Sequence, residues 1–232
     1  MALSAELRAA LACVTTATIT TVLLGHGVRN SFIRGAAPLA PGDVRRAVGE
    51  AFTLRFVPMR EDLATPASWA SPTSTRAAIE QMPEGAICVA DAMGVRDAGI
   101  FGDILCARMA VRGVAGLVTD GVLRDGAGVA QSGLSVWCGG LAAPASVAAL
   151  TFVGWQQPIG CGGVAVLPGD VIVADGDGAV VVPRALVEGV AEAAVVRERE
   201  EAWVMGEVQR GVALPGLYPM SDETRARYEG ER

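Results

Sequence analysis

The chain has 232 residues, 51% hydrophobic and 19% charged, with a formal net charge of -6. That length suits one sizeable domain with a large core. The acidic balance, with no aromatic-interleaved basic patch, argues against nucleic-acid binding, which needs Lys and Arg clustered against phosphate.

In chain order, residues 4–25 read as an amphipathic helix followed by a second helix start. Five threonines interrupt the apolar run 9–25. It has little basic charge ahead of it and no cleavage site behind it, so a signal sequence is the weaker reading. No other run approaches the roughly 18 apolar residues of a spanning helix, and no membrane association is expected. Val28–Gly42 reads as a loop punctuated by Pro38 and Pro41. Ala47–Val57 alternates as a strand. Pro58–Pro72 is a polar excursion, in which Arg60-Glu61-Asp62-Leu63 reads as a solvated loop in preference to a lid. A helix over 74–82 ends before Pro83. Ala86–Ala92 is a strand, apolar until Asp91 closes it, as expected when both faces are covered.

The spacing predicts a helix over 103–112, with Leu105/Met109 and Ala107/Val111 pairs, stopped by Gly113. Gly116–Gly121 is the next strand, so strand, helix and strand suggest parallel pairing through a crossover. Leu134–Trp137 is another strand, and 150–182 give several more with Gly-rich turns. A long helix over about 184–210 completes the fold, followed from Leu214 by a Pro- and charge-rich tail. Residues 1–232 read as a single α/β domain.

Cys13, Cys88, Cys106, Cys138 and Cys161 are scattered, and His26 is the one histidine. A Cys/His zinc site is not expected on that count, and nothing in the spacing supports a Cys161–His26 catalytic pair. Free thiols suit a reducing compartment, so a cytoplasmic location is expected.

The most informative stretch is 97–125. Gly102-Asp103 opens a helix whose first N–H groups can hold a carboxylate. Arg124-Asp125 follows a buried strand, where ligands bind in α/β sheets. Amides and a guanidinium suit a small carboxylate ligand, and carboxylates suit a divalent cation. On the last helix, Val187, Val190, Ala194, Glu198, Glu201, Met205 and Val208 share one stripe. Both glutamates therefore need a cation, an Arg or a subunit boundary, unless the helix end leaves the core. Gly160-Cys-Gly-Gly163 lacks the residues of a P-loop or dinucleotide fingerprint, and reads as a close backbone turn.

Gly49-x-Ala51-x-Thr53, Gly102-Asp103-Ile104-Leu105, the segment from Arg112 through Arg124-Asp125, and Pro168-Gly-Asp through Pro183 resemble one family. It comprises the class II 4-hydroxy-4-methyl-2-oxoglutarate aldolases and the regulators of ribonuclease E activity A (RraA-like). The resemblance spans roughly 45–210. It implies a ββα sandwich or barrel-like core with parallel strand-helix-strand units and a long C-terminal helix. It also implies homotrimers or hexamers with sites between subunits, the N-terminal helix and C-terminal tail lying at oligomer contacts. By the same resemblance, Asp125 binds Mg²⁺ or Mn²⁺ and Arg124 binds the substrate. Gly102, Asp103, Ile104 and Leu105 line the pocket, Asp103 reaching the metal through water. A glutamate from the neighbour's last helix, Glu201 before Glu198, completes the site. The chain departs from the family where an acidic residue usually stands three positions after the Asp, here Gly128. It departs again at Thr20-Thr21, where relatives often have Ser-Asp, and in the 58–75 excursion.

The expected activity is that of a metal-dependent lyase cleaving or decarboxylating a pyruvate-derived 2-oxo acid, with oxaloacetate decarboxylation as a side or main activity. Arg124, Asp103 and Glu201 carry the catalysis. The alternatives are a dehydratase or hydratase of a sugar-derived 2-oxo acid, and a non-catalytic regulator that binds ribonuclease E.

Overall fold

The computed structural model describes residues 3–40, 42 and 46–231. Pro41, part of the expected loop, lies outside the described residues. Eight strands are β1 (Ala37–Pro38), β2 (Ala47–Pro58), β3 (Ile87–Asp91), β4 (Gly116–Thr119), β5 (Val136–Cys138), β6 (Leu150–Trp155), β7 (Val171–Asp175) and β8 (Gly178–Val182). They form one sheet in the order β1-β5-β4-β3-β2-β7-β8, with β6 also on β2. Strands β2 to β5 are mutually parallel. The other pairings are antiparallel. The long β2 pairs with β7 through Ala47–Glu50 and with β6 through Leu54–Pro58, with a register shift between Arg55 and Phe56.

The helices are α1 (Ala5–Ala12), α2 (Thr16–Gly25), α3 (Thr75–Gln81), α4 (Asp103–Val111), α5 (Gly126–Gln131), α6 (Val187–Gln209) and α7 (Asp222–Gly230). Strand alternation divides the apolar residues among three cores. Ile87, Val89, Val118, Ile172, Ala174, Ala179 and Val181 point into the interior of a nearly closed, barrel-like sheet. Cys88, Ala90 and Leu117 face outward against α3, α4 and α5. Val171, Val173, Val180 and Val182 face outward against α1, α2 and α6. Each fully buried Val, Leu or Ile stabilises this arrangement by about 1.5–3 kcal/mol.

Residues 4–25 form the helix and second helix start read from the sequence, two helices bent by 109°. The break falls at 13–15, where the Thr15 hydroxyl accepts from Thr18 N, and Asp175 accepts from Thr16 N and Oγ1 at 2.9 and 2.8 Å. No single helix among the described residues is long and apolar enough to cross a membrane. The stripe on α6 holds as far as Ala194, then shifts: Val204 and Glu207 are buried, while Met205 and Val208 are 57% and 37% exposed. The cause is α7, in the Pro- and charge-rich tail. It folds back so that Tyr228 meets Trp203 edge-on at 5.4 Å, and Glu207 pairs with Arg210 and Arg227. Ser221 caps α7, accepting from Thr224 N. The expected loop 28–42 also contains β1, paired with β5.

Candidate active site

Two loops leave the carboxyl ends of parallel strands, the usual ligand position in α/β sheets. Residues 92–102 lead from β3 to α4, and residues 120–125 lead from β4 to α5. They run side by side: Ile100 N donates to Val122 O at 3.0 Å and Arg124 N to Phe101 O at 2.9 Å. This pairing sets Gly102-Asp103 against Arg124-Asp125. Asp125 sits in the left-handed region at φ +56°, an uncommon conformation that Asp tolerates better than most residues. Its carboxylate accepts from Arg124 Nε at 3.1 Å, and the two side chains are 44% and 38% exposed. A Cβ on Gly102 would lie 2.6 Å from Asp125 Oδ2, so glycine is what lets the carboxylate lie against the helix start. A Cβ on Gly128 would lie equally close to Asp103 Oδ2. Gly128, three positions after Asp125, therefore packs directly against the carboxylate of Asp103.

All six expected pocket residues, Gly102 through Leu105 with Arg124 and Asp125, line one pocket of about 200 Å³. Trp69, Thr75, Arg76 and Ser146, which the sequence reading missed, line it too. The only sequence signal for them was a tryptophan in a Pro- and Ser-rich excursion. The Arg76 guanidinium stands 5.0 Å from the Trp69 ring centroid. The excursion's other marked residues fit the solvated-loop reading: Arg60 and Asp62 pair at 2.7 Å with 67% and 61% of their side chains exposed.

The two α6 glutamates are not part of this pocket within one chain. Glu201 forms an ion pair with Arg197 at 2.9 Å and accepts from Tyr218 Oη at 3.3 Å. Glu198 accepts from Thr15 N at 2.6 Å and Oγ1 at 2.8 Å, closing the start of α2. Burial raises the Glu198 carboxyl, but the Thr15 and Thr18 donors and the nearby Arg46 outweigh it and hold the group below the ordinary glutamate value.

Three further aspartates are scaffold. Asp120 is 6% exposed and accepts from Ala92, Gly94 and Gly162 N–H groups at 2.8, 3.0 and 3.1 Å. Burial pushes its carboxyl above the usual range, and those amides work the other way. Asp170 joins Leu167 N to Arg184 N, which explains the Pro-Gly-Asp signature. Asp175 holds the start of α2. The turn at 160–163 is a close backbone approach, since a Cβ on Gly162 would meet Arg34 O at 2.5 Å. Cys161 is fully buried with its thiol pushed well up by that burial, and it contacts Ala90 O. His26 ends α2 near Gly189, so the two contact separate elements.

Among the described residues, no group of three or more His, Cys, Asp or Glu could hold a metal ion by itself. Two carboxylates, Asp103 and Asp125, line the pocket. That set fits Mg²⁺ or Mn²⁺, since Mg²⁺ takes one or two protein carboxylates and fills its other positions with water and ligand oxygens.

Fold and site together define an RraA-like protein. The Aldolase/RraA family model matches residues 16–181, and the chain belongs to that family. It is 35% identical over 125 residues to a Halalkalibacterium halodurans protein that bears an inferred assignment as a 4-hydroxy-4-methyl-2-oxoglutarate aldolase. That match covers 53% of this chain and 59% of the relative's length, so the chain spans little more than half of it. A Streptomyces coelicolor structure, RraAS2, is described as an unusual member of the RNase ES inhibitor RraA protein family. It superposes with a TM-score of 0.78 at 34% identity, covering 88% of this chain and 97% of that one. An uncharacterized Pseudomonas syringae protein gives 0.80 at 26% identity, covering 94% and 99%.

Proposed function

We propose that this chain is a divalent-metal-dependent lyase that cleaves or decarboxylates a pyruvate-derived 2-oxo acid. The observation that carries the reading is the convergence of Arg124, Asp125, Asp103 and the start of α4 on one small pocket. The aldolase assignment of the Halalkalibacterium relative supports it. Asp125, with Asp103 behind it, would hold Mg²⁺ or Mn²⁺. Bound there, the ion supplies Lewis-acid stabilisation of the enolate charge that carbon–carbon cleavage leaves behind. Arg124 presents its guanidinium to the substrate carboxylate, fixing the oxo acid in one orientation. The first-turn amides of α4 add fixed dipoles beside the developing negative charge. Asp103 holds a water that carries the proton. In a homotrimer or hexamer, Glu201 from a neighbouring α6 completes the pocket.

Calorimetry with Mg²⁺ or Mn²⁺, with and without oxalate, an enolate mimic, is the direct test. Metal-dependent oxalate binding that disappears in Asp125→Asn is the expected outcome. Equal binding by Asp125→Asn ends the proposal. The Streptomyces neighbour motivates a second reading, a regulator that binds a ribonuclease through its acidic surface. Ribonuclease capture by a protein that takes up no metal would favour it.

A further inference from the structure

The excursion does more than skirt the surface. Residues 62–75 and the segment 146–153 enclose a second compartment of about 440 Å³, and it shares Trp69, Thr75 and Ser146 with the pocket of Arg124 and Asp125. The two spaces are therefore neighbours with one indole-bearing and two hydroxyl-bearing residues in common.

The chemistry of the second space is distinctive. Its lining is rich in hydroxyl groups, including those of Thr65, Thr73 and Thr151. Its one charged lining residue is Asp62, already paired with Arg60. No cation waits there for a second carboxylate. Thr151 and Ser74 are each 5% exposed and use their oxygens to accept from Arg60 N and Ala77 N. Each such hydroxyl keeps an O–H to donate. Thr75, 8% exposed, lines both spaces. Arg76, which lines the first pocket, lies over the Trp69 ring.

Neutral donors and acceptors around an aromatic face match a chain of alternating C–H and O–H groups. We propose that this compartment binds the polyhydroxylated tail of a sugar-derived 2-oxo acid, with Trp69 packing on its C–H face. The assignment rests on the reading that Arg124 and Asp125 take the oxo-acid end. It predicts a substrate longer than the three- and four-carbon acids that the first pocket alone accommodates.

The test compares oxaloacetate with a six-carbon 2-oxo-3-deoxy sugar acid, by kinetics and by calorimetric binding, in the metal-loaded full chain. Trp69→Ala and the near-isosteric Thr75→Val are set beside wild type, with circular dichroism as the folding check. The expected result is that both variants raise KM or Kd for the sugar acid at least tenfold more than KM for oxaloacetate. Equal effects on both substrates overturn the assignment and leave the lyase reading intact, as does wild type that processes oxaloacetate but does not bind the sugar acid. A change of oligomeric state in Trp69→Ala with an unaltered substrate ratio gives the groove to a subunit contact, and also overturns it. Sugar-acid binding weakened by both variants, without turnover of either acid, supports the compartment and sinks the lyase reading. A protein that neither binds the sugar acid nor processes oxaloacetate sinks both.

Discussion

Asp120 and Asp125 stand five residues apart on the loop that leaves β4, and they live in different worlds. Asp120 is 6% exposed with three backbone N–H partners, so its charge is spent on holding residues 92–94 and 162 in place. The side chain of Asp125 is 44% exposed, with one guanidinium contact, on a backbone held at positive φ. A carboxylate whose lone pairs are filled by amides is structure. One left half-solvated beside an arginine at a helix start is free to bind something else.

The largest effects follow from exchanging these roles. Asp125→Asn, which keeps a residue tolerant of the left-handed region, is expected to lower metal-dependent turnover by about 10²-fold or more. Its melting temperature should stay close to wild type. Asp120→Ala should leave buried N–H groups unsatisfied and cost about 3 kcal/mol of stability. At this chain length that is roughly 6–12 °C in Tm by scanning calorimetry. If Asp120→Ala melts like wild type, the division between the two aspartates is wrong. A smaller effect tests the packing of Asp103. Gly128→Ala puts a methyl against its carboxylate, and kcat/KM should drop about tenfold through displacement of that group. Unchanged kinetics would separate Asp103 from the chemistry.

The smallest effect lies away from the pocket. The Glu198 carboxyl is held below its ordinary value of 4.5 in the fold, so it contributes stability above that value and loses it as pH falls through the depressed one. Glu198→Gln should therefore cost about 0.5–1 kcal/mol at neutral pH. The gap to wild type should close in thermal melts below pH 4.5. A gap that persists in acid would assign the contact to shape alone.

Much of this was legible in the chain itself. Apolar strand runs, the Gly113 stop and the Gly102-Asp103 and Arg124-Asp125 pairs all encode local geometry, and the two pairs meet on one pocket as expected. What escaped was set by distant partners. Nothing near Thr15 announces that Asp175 will fasten the second helix start. The burial of Glu207 depends on Arg227 folding back from α7. Ser221 with Asp222 and Glu223 is a helix start in local terms, but its packing depends on Trp203 and Glu207 of the distant α6. Trp69 was visible as a residue, but only the packing of the excursion against 146–153 gives it a second cavity to line.

Strand β2 hydrogen-bonds to segments emerging at three stages of synthesis: β3, then β6, then β7. A nascent chain that stops short of residue 171 therefore carries β2 with an edge still open, ready to pair with a stranger. Such long-separation pairing is slow to form. This protein is accordingly most exposed to misassembly in the interval before its last quarter leaves the ribosome.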